Sequence, residues 1–327
     1  MVILLSLFYV FFSAASCDKK NGIDIHDGKE TEVVEDSDGE GTGEENEEAG
    51  QGDENDEEQG GQQDEEDQQQ EEDPNFNYGE EYQIGNGFHV PFVLGETPSP
   101  YGYFMFFPES YKYLKNTYPV LIFLHGSGER GNSQTNTAEL NKAVKHGPGK
   151  LINKRVWSPK EEMLVVSAQT RVNKWGSQTL KHFIDYLLET YRIDESRVYL
   201  TGLSLGAFGT FDYLGKYGAD SKIAAAVAVC GGGASNNGTY VRNLSKIPLW
   251  VFHGEADQQV PVARATEIVQ ALKAINPKQE PKLTLYPNVG HDSWTMTYDG
   301  SGQGKENPDY DAFDQDVYSW MLQYRLP

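Results

Sequence analysis

The sequence predicts an α/β protein: a mostly parallel central sheet with helices on both faces. Three observations lead there. From about residue 75 onward, short apolar runs alternate with longer helix-compatible stretches, the pattern of strands separated by crossover helices. Several of those runs are continuously apolar, as strands buried on both faces are. Finally, the pentapeptide Gly202-Leu203-Ser204-Leu205-Gly206 joins the apolar run Val198–Leu200 to a helical stretch, which is a strand–turn–helix.

The elements follow in order. Strands are expected at Tyr103–Phe107, Val120–Leu124, Met163–Ser167, Val198–Leu200, Ala225–Val229, Leu249–Phe252 and Lys282–Tyr286. Helices are expected at Thr179–Tyr191, Ala207–Tyr217, Val262–Ile275 and Phe313–Gln323. No internal repeat is visible. Residues 76–327 therefore read as one catalytic-sized domain.

Charge divides the chain. Of 327 residues, 50 are acidic and 27 basic, for a net charge of −23. Residues 18–75 hold 25 of the acidic side chains and only Lys19, Lys20 and Lys29 among the basic ones. The remainder, with 24 basic and 25 acidic residues, is close to neutral. No basic stripe points to nucleic acid. The acidic segment has almost no large apolar residue, cannot offset its ordering entropy, and is expected to be a disordered linker over 17–75. Self-repulsion extends it beyond the roughly 40 Å of a neutral flexible chain. No stretch of it has the spacing of a calcium loop.

The first sixteen residues form an apolar run, too short to span a bilayer comfortably, and end in Ala14-Ala15-Ser16 before Cys17. Small residues followed by cysteine resemble the lipobox of bacterial lipoproteins, although no Lys or Arg precedes the run and Ala14 stands where Leu is commoner. The expectation is a signal peptide over 1–16, lipidation of Cys17, and a lipid-anchored protein of the bacterial cell envelope facing the periplasm or exterior. Cys230 is the other cysteine; in the run AAAVAVC it reads as a buried, inert thiol.

The chemistry lies in the C-terminal part. Acyl transfer by serine needs a nucleophile, a base that takes its proton and a carboxylate that orients the base. After Ser204 come Asp257, just past Leu249–Phe252, and His291, just past Lys282–Tyr286. Both sit beyond strand carboxyl ends, where open α/β sheets place ligands. Rivals are weaker. His26 is in the acidic segment, and His89, His146 and His182 follow no core strand. His125 and His253 each precede a glycine at a strand end and read as loop braces. For the acid, Glu255 and Asp292 are the neighbours, and Asp292 would meet the Nδ1 of His291 poorly. The loop His125-Gly126-Ser127-Gly128-Glu129-Arg130-Gly131 is expected to offer the backbone N–H of Ser127 to an oxyanion, with the N–H of Leu205 as the second donor. Glu129 and Arg130 would brace that loop by a local ion pair. Gln169, Trp175 and Trp294 are candidate substrate contacts.

These segments (PVLIFLHGSGERG, TGLSLGAFGTFDYL, VCGGG, WVFHGEADQQVP and YPNVGHDSW) resemble a secreted esterase family of the α/β-hydrolase fold. It is often called predicted peptidases or phospholipase/carboxylesterase-like proteins, and it is related to feruloyl and acetylxylan carbohydrate esterases. The resemblance covers most of residues 85–327. It implies a triad of Ser204, Asp257 and His291, no metal or other cofactor, no obligate protein partner, and hydrolysis of carboxylic esters, with plant polysaccharide fragments as substrates. Two departures stand out: Ala207 where relatives often carry glycine, and a long Gly/Asp/Asn-rich stretch from Thr297 to Asp316, expected to shape the cleft. The competing readings are a serine peptidase like prolyl oligopeptidase, whose propeller domain has no counterpart here, an acyltransferase, and a non-catalytic glycan-binding surface lipoprotein.

Overall fold

The computed structural model describes residues 73–74 and 76–327. The expected signal peptide, Cys17 and nearly all of the expected linker lie outside the described residues. Close contacts are already present at Asp73, whose carboxylate is ion-paired to Arg192 and whose backbone N–H donates to Lys112 O at 2.7 Å.

Nine strands make one sheet: β1 (Gln83–Ile84), β2 (Gly87–Phe92), β3 (Gly102–Pro108), β4 (Tyr118–Leu124), β5 (Leu164–Gln169), β6 (Ile193–Leu203), β7 (Ala225–Val229), β8 (Leu249–Gly254) and β9 (Lys282–Tyr286). Their spatial order is β1-β2-β3-β5-β4-β6-β7-β8-β9. Pairings among β4 to β9 are parallel, and β1 to β3 add an antiparallel edge that joins at β5. The helices are α1 (Gly147–Asn153), α2 (Ser177–Thr190), α3 (Leu205–Tyr217), α4 (Gly238–Leu244), α5 (Ala263–Lys273), α6 (Trp294–Tyr298) and α7 (Val317–Met321).

Strand β4 shows why the parallel strands are apolar throughout. Successive side chains point to opposite faces. Val120, Ile122 and Leu124 belong to the same core cluster as Phe183 of α2, Phe211 of α3 and Leu272 of α5. Leu121 and Phe123 pack on the other side with Ile152 of α1 and Trp320 of α7. All five β4 residues are fully buried, so a polar residue on either face would have to be desolvated.

The structure adds β1, β2, α1, α4 and α6 to the expected elements and shortens the last helix. Strand β2 contains Pro91; only Gly87 and Phe88 pair with β1, so Pro91 lies where β2 is an edge strand and its missing N–H is tolerated. The last helix is shorter than Phe313–Gln323. The Asp316 carboxylate caps it by accepting from Ser319 N at 2.8 Å, while Phe313 N is tied outside it to Glu306 Oε1 at 3.0 Å. The stretch Thr297–Asp316 lies along β9, with Asn307 N donating to Leu285 O at 2.7 Å and Asp311 N to Leu283 O at 2.9 Å. It covers the open edge of the sheet, which would otherwise present unpaired backbone groups.

Candidate active site

The turn between β6 and α3 is unusually tight. Ser204 adopts φ 50° and ψ −115°, a conformation that side-chain-bearing residues rarely hold. The two flanking glycines make it possible. A Cβ on Gly202 would lie 2.5 Å from the backbone of Gly206, and one on Gly206 would collide with the carbonyl of Leu124. Ser204 N donates to Val229 O at 2.9 Å, and Phe208 N to Ser204 O at 3.0 Å, so strand and helix grip the turn from both sides. The serine hydroxyl is thereby held, half-buried, at the carboxyl edge of the sheet.

Two further loops at that edge are tied to each other. Ala256 N donates to Val289 O at 2.9 Å and Glu255 N to Tyr286 O at 3.0 Å, which brings the loop after β8 against the loop after β9. As a result His291 Nδ1 is 2.6 Å from Asp257 Oδ2, and His291 Nε2 is 3.0 Å from Ser204 Oγ. A carboxylate only accepts, so Nδ1 carries the hydrogen and Nε2 is left to accept from the serine. The other carboxylate oxygen, Oδ1, accepts from Gln259 N at 2.8 Å and Val260 N at 2.9 Å. Burial pushes the Asp257 pKa up, but the hydrogen bonds from His291 and from these two amides outweigh it and hold the group below its ordinary 3.8. The side chain is thus ionised while shielded from water.

The rival acids are engaged elsewhere. Glu255 accepts from Asn307 Nδ2 at 2.6 Å, and Asp292 accepts from Thr295 N and Oγ1, both at 3.0 Å, at the start of α6.

On the opposite side of Ser204, a Cβ on Gly126 would sit 3.6 Å from the Ser204 Cβ, so the glycine loop after β4 lies against the serine. Ser127 opens a single 3-10 turn and Leu205 is the first residue of α3. N–H groups at such positions have no acceptor within their own helix and are free for a ligand. The loop is braced from behind. His125 Nδ1 donates to Gly126 O at 2.6 Å, and its Nε2 accepts from Thr170 N at 3.1 Å. Arg130 Nε donates to Ser127 O at 2.8 Å.

Several expectations need correction. Glu129 and Arg130 do not pair: the buried Glu129 carboxylate faces His146 Nε2 at 3.6 Å. Gln169 and Trp175 are only 3% and 1% exposed and hold the glycine loop after β4 through hydrogen bonds; Gln169 also lines a cavity of about 260 Å³ with Tyr101 and Thr179 that includes none of Ser204, Asp257 and His291. Gln169 Nε2 donates to Glu129 O at 3.2 Å and Glu139 O at 2.5 Å; Trp175 Nε1 donates to His125 O at 3.1 Å. Trp294 is half-buried beside the site, edge-on to His291 with ring centres 5.3 Å apart. Its ring also contacts His146 at 5.4 Å, and the two line a cavity of about 60 Å³ with Lys150 and Tyr298. Nothing in the sequence pointed to His146, since it follows no strand and meets Trp294 only through the packing of α1 and α6. Roomier cavities, about 400 Å³ near Tyr111 and Arg192 and about 460 Å³ near Thr117 and Arg197, include none of Ser204, Asp257 and His291. The chemistry is located by the hydrogen-bonded groups, not by the volume of empty space.

A mostly parallel sheet with helices on both faces, and a serine on a strained strand-to-helix turn at its carboxyl edge, defines an α/β-hydrolase. Residues 113–298, more than half of the chain and including Ser204, Asp257, His291 and the glycine loop after β4, match the phospholipase/carboxylesterase family, and the chain belongs to that family. Among solved structures, it is similar to a thermostable esterase at 26% identity and a TM-score of 0.53, over 74% of this chain and 64% of the other. The chain thus spans less than two thirds of that protein. It is more distantly similar to a ferulic acid esterase (18% identity, TM-score 0.45, 64% of this chain and 92% of the other). A mutant of the feruloyl esterase module from Clostridium thermocellum, complexed with sinapinate, is similar at 12% identity and TM-score 0.46, over 65% of this chain and 86% of the other. Those two are too remote to carry an argument. No curated protein matches the chain.

Proposed function

We propose that the protein is a serine hydrolase that cleaves carboxylic esters through an acyl-enzyme on Ser204. The observation that carries this reading is the unbroken series of hydrogen bonds from Ser204 Oγ through His291 to Asp257. His291 Nε2 takes the hydroxyl proton as Ser204 Oγ attacks the ester carbonyl. The buried Asp257 carboxylate stabilises the imidazolium that forms. The N–H groups of Ser127 and Leu205 hold the tetrahedral oxyanion, each donor contributing roughly 3–4 kcal/mol of transition-state stabilisation. His291 then protonates the departing alcohol, and water repeats the sequence on the acyl-enzyme.

The substrates in this reading are feruloyl or acetyl esters of plant polysaccharide fragments. Membership of the family and the resemblance of the catalytic segments to carbohydrate esterases support it. The half-buried Trp294 ring beside His291 adds an aromatic surface of the kind on which phenolic and sugar rings pack. The N-terminal apolar run and Cys17 support a lipid anchor on the cell envelope, with the acidic segment as spacer.

The test is a panel of p-nitrophenyl acetate, methyl ferulate, feruloylated and acetylated xylan fragments, and a proline anilide. Turnover of the esters, with ferulate or acetate released from the xylan fragments, is the expected result. Preference for the anilide would replace the esterase reading with a peptidase, and turnover of simple esters without the xylan fragments would remove the carbohydrate assignment.

A further inference from the structure

Asp257 has a second imidazole against it. His253 is the fifth residue of β8, fixed in register opposite Leu285 of β9, and is fully buried. Its Nε2 lies 3.2 Å from Asp257 Oδ2, the same oxygen that accepts from His291. The same Nε2 lies 2.9 Å from Val260 O. A carbonyl oxygen and a carboxylate both only accept, so Nε2 carries the hydrogen, which it donates to Val260 O while lying against Asp257 Oδ2. The other ring nitrogen, Nδ1, is buried without a hydrogen-bond partner. A proton added there would have no acceptor in a site closed to water, so the ring is held neutral and in one tautomer. Burial, the largest influence on this group, correspondingly lowers its pKa.

The carboxylate then accepts from two amides on Oδ1 and from His291 on Oδ2, with the His253 Nε2–H 3.2 Å from that same Oδ2. The amides belong to the turn and fix Oδ1. Only side chains fix Oδ2, the oxygen that must point at His291. We propose that His253 is a positioning residue for the reaction: its Nε2–H holds Asp257 Oδ2 in line with His291 Nδ1 while clamping the Val260 carbonyl of the turn. This rests on the reading of Ser204, His291 and Asp257 as the catalytic groups. His253 touches no reacting atom; it acts through Asp257.

Two substitutions of similar size separate donation from packing. His253→Leu fills the space without a donor, whereas His253→Gln places an amide N–H near the position of Nε2. Because a hydrogen bond to a charged group is at stake, kcat of H253L on p-nitrophenyl acetate should fall about 10- to 100-fold with KM unchanged within about twofold. H253Q should recover kcat to within about threefold of wild type. Wild-type kcat in H253L, or equal losses in both variants, would overturn the proposal. A measurement on the unmodified protein keeps the proposal falsifiable even if a variant does not fold. Nitrogen-15 NMR of labelled histidines at pH 7 should show His253 in the Nε2–H tautomer, and an Nδ1–H tautomer would overturn the proposal. That readout needs no activity. Absence of fluorophosphonate labelling in wild type would count against the catalytic reading and leave the His253 geometry to be judged on its own.

Discussion

Leu124-His125-Gly126 and Phe252-His253-Gly254 look interchangeable: a buried strand, a histidine, a glycine, then a loop at the sheet's carboxyl edge. Both rings are fully buried. Their environments are opposite. His125 gives its Nδ1 hydrogen to one backbone group and takes a hydrogen at Nε2 from another, so both nitrogens are satisfied by main chain. His253 carries its hydrogen on Nε2, donates it to Val260 O beside the Asp257 carboxylate, and leaves Nδ1 bare. One histidine braces the glycine loop after β4; the other lies against Asp257, the carboxylate hydrogen-bonded to His291. What distinguishes them is the loop that follows, glycine-rich after His125 and carrying Asp257 four residues after His253.

Substitutions on the two sides should therefore fail in different ways. The largest effect belongs to the acid itself. Asp257→Asn would leave the shape intact but favour the wrong tautomer of His291, so kcat on p-nitrophenyl acetate should drop about 10⁴-fold while circular dichroism stays that of wild type. A drop of less than tenfold would mean that the two loops after β8 and β9 do not act as one unit.

Next comes His125→Leu, which strips two buried backbone groups of their partner. Each unpaired group costs about 1–3 kcal/mol, so urea unfolding should show a loss of about 2–6 kcal/mol, with activity of the folded fraction falling more modestly. The comparison is sharpened if H125L loses mainly stability and H253L mainly kcat. It breaks if the two profiles coincide.

Acid should reveal the His125 side directly. Burial, its largest influence, lowers the His125 pKa from an ordinary 6.5 to about 4. Between those values the unfolded chain binds a proton that the folded protein does not, so stability is full above pH 6.5 and falls as pH drops toward 4. The shift corresponds to about 3 kcal/mol. His89, lowered to about 4 for the same reason, loses stability in the same window. Carboxylates held below their ordinary range, such as Asp257, also weaken the fold on acidification, so the informative quantity is a difference. Urea unfolding at pH 7 and pH 4 should show a pH-dependent loss about 3 kcal/mol smaller in H125L than in wild type.

The smallest effect is expected at the rival acid. Glu255→Gln removes only an interaction with Asn307 beyond the β9 edge, so kcat should stay within about twofold of wild type and stability within about 1 kcal/mol. A large loss of activity would reopen the choice between Glu255 and Asp257.

Much of this arrangement is legible in the sequence, and the reason is local. Parallel strands with both faces covered are continuous apolar runs, and a serine held at positive φ needs small neighbours, so β4 to β9 and the Ser204 turn announce themselves within a few residues. The parts that stay hidden depend on partners distant in sequence. Gln169 and Trp175 look like cleft residues because they follow a strand; that they point inward is decided by Glu139 and by the carbonyl of His125. His146 meets Trp294 across 148 positions of chain, through packing alone. The stretch after His291 gives no sign in sequence that the amides of Asn307 and Asp311 pair with β9, while its Tyr298 and Asp299 line the cavity beside Trp294. Short helices such as α1 and α4 carry too few turns for a periodic signal.

The claim on which the rest depends is that Ser204 is made nucleophilic by His291. Treating the folded protein with a fluorophosphonate and mapping the adduct by peptide mass spectrometry tests it most directly. The account predicts one adduct per chain, on the peptide containing Ser204, and none in S204A. A folded wild type that stays unmodified, or equal labelling of wild type and S204A, would contradict it.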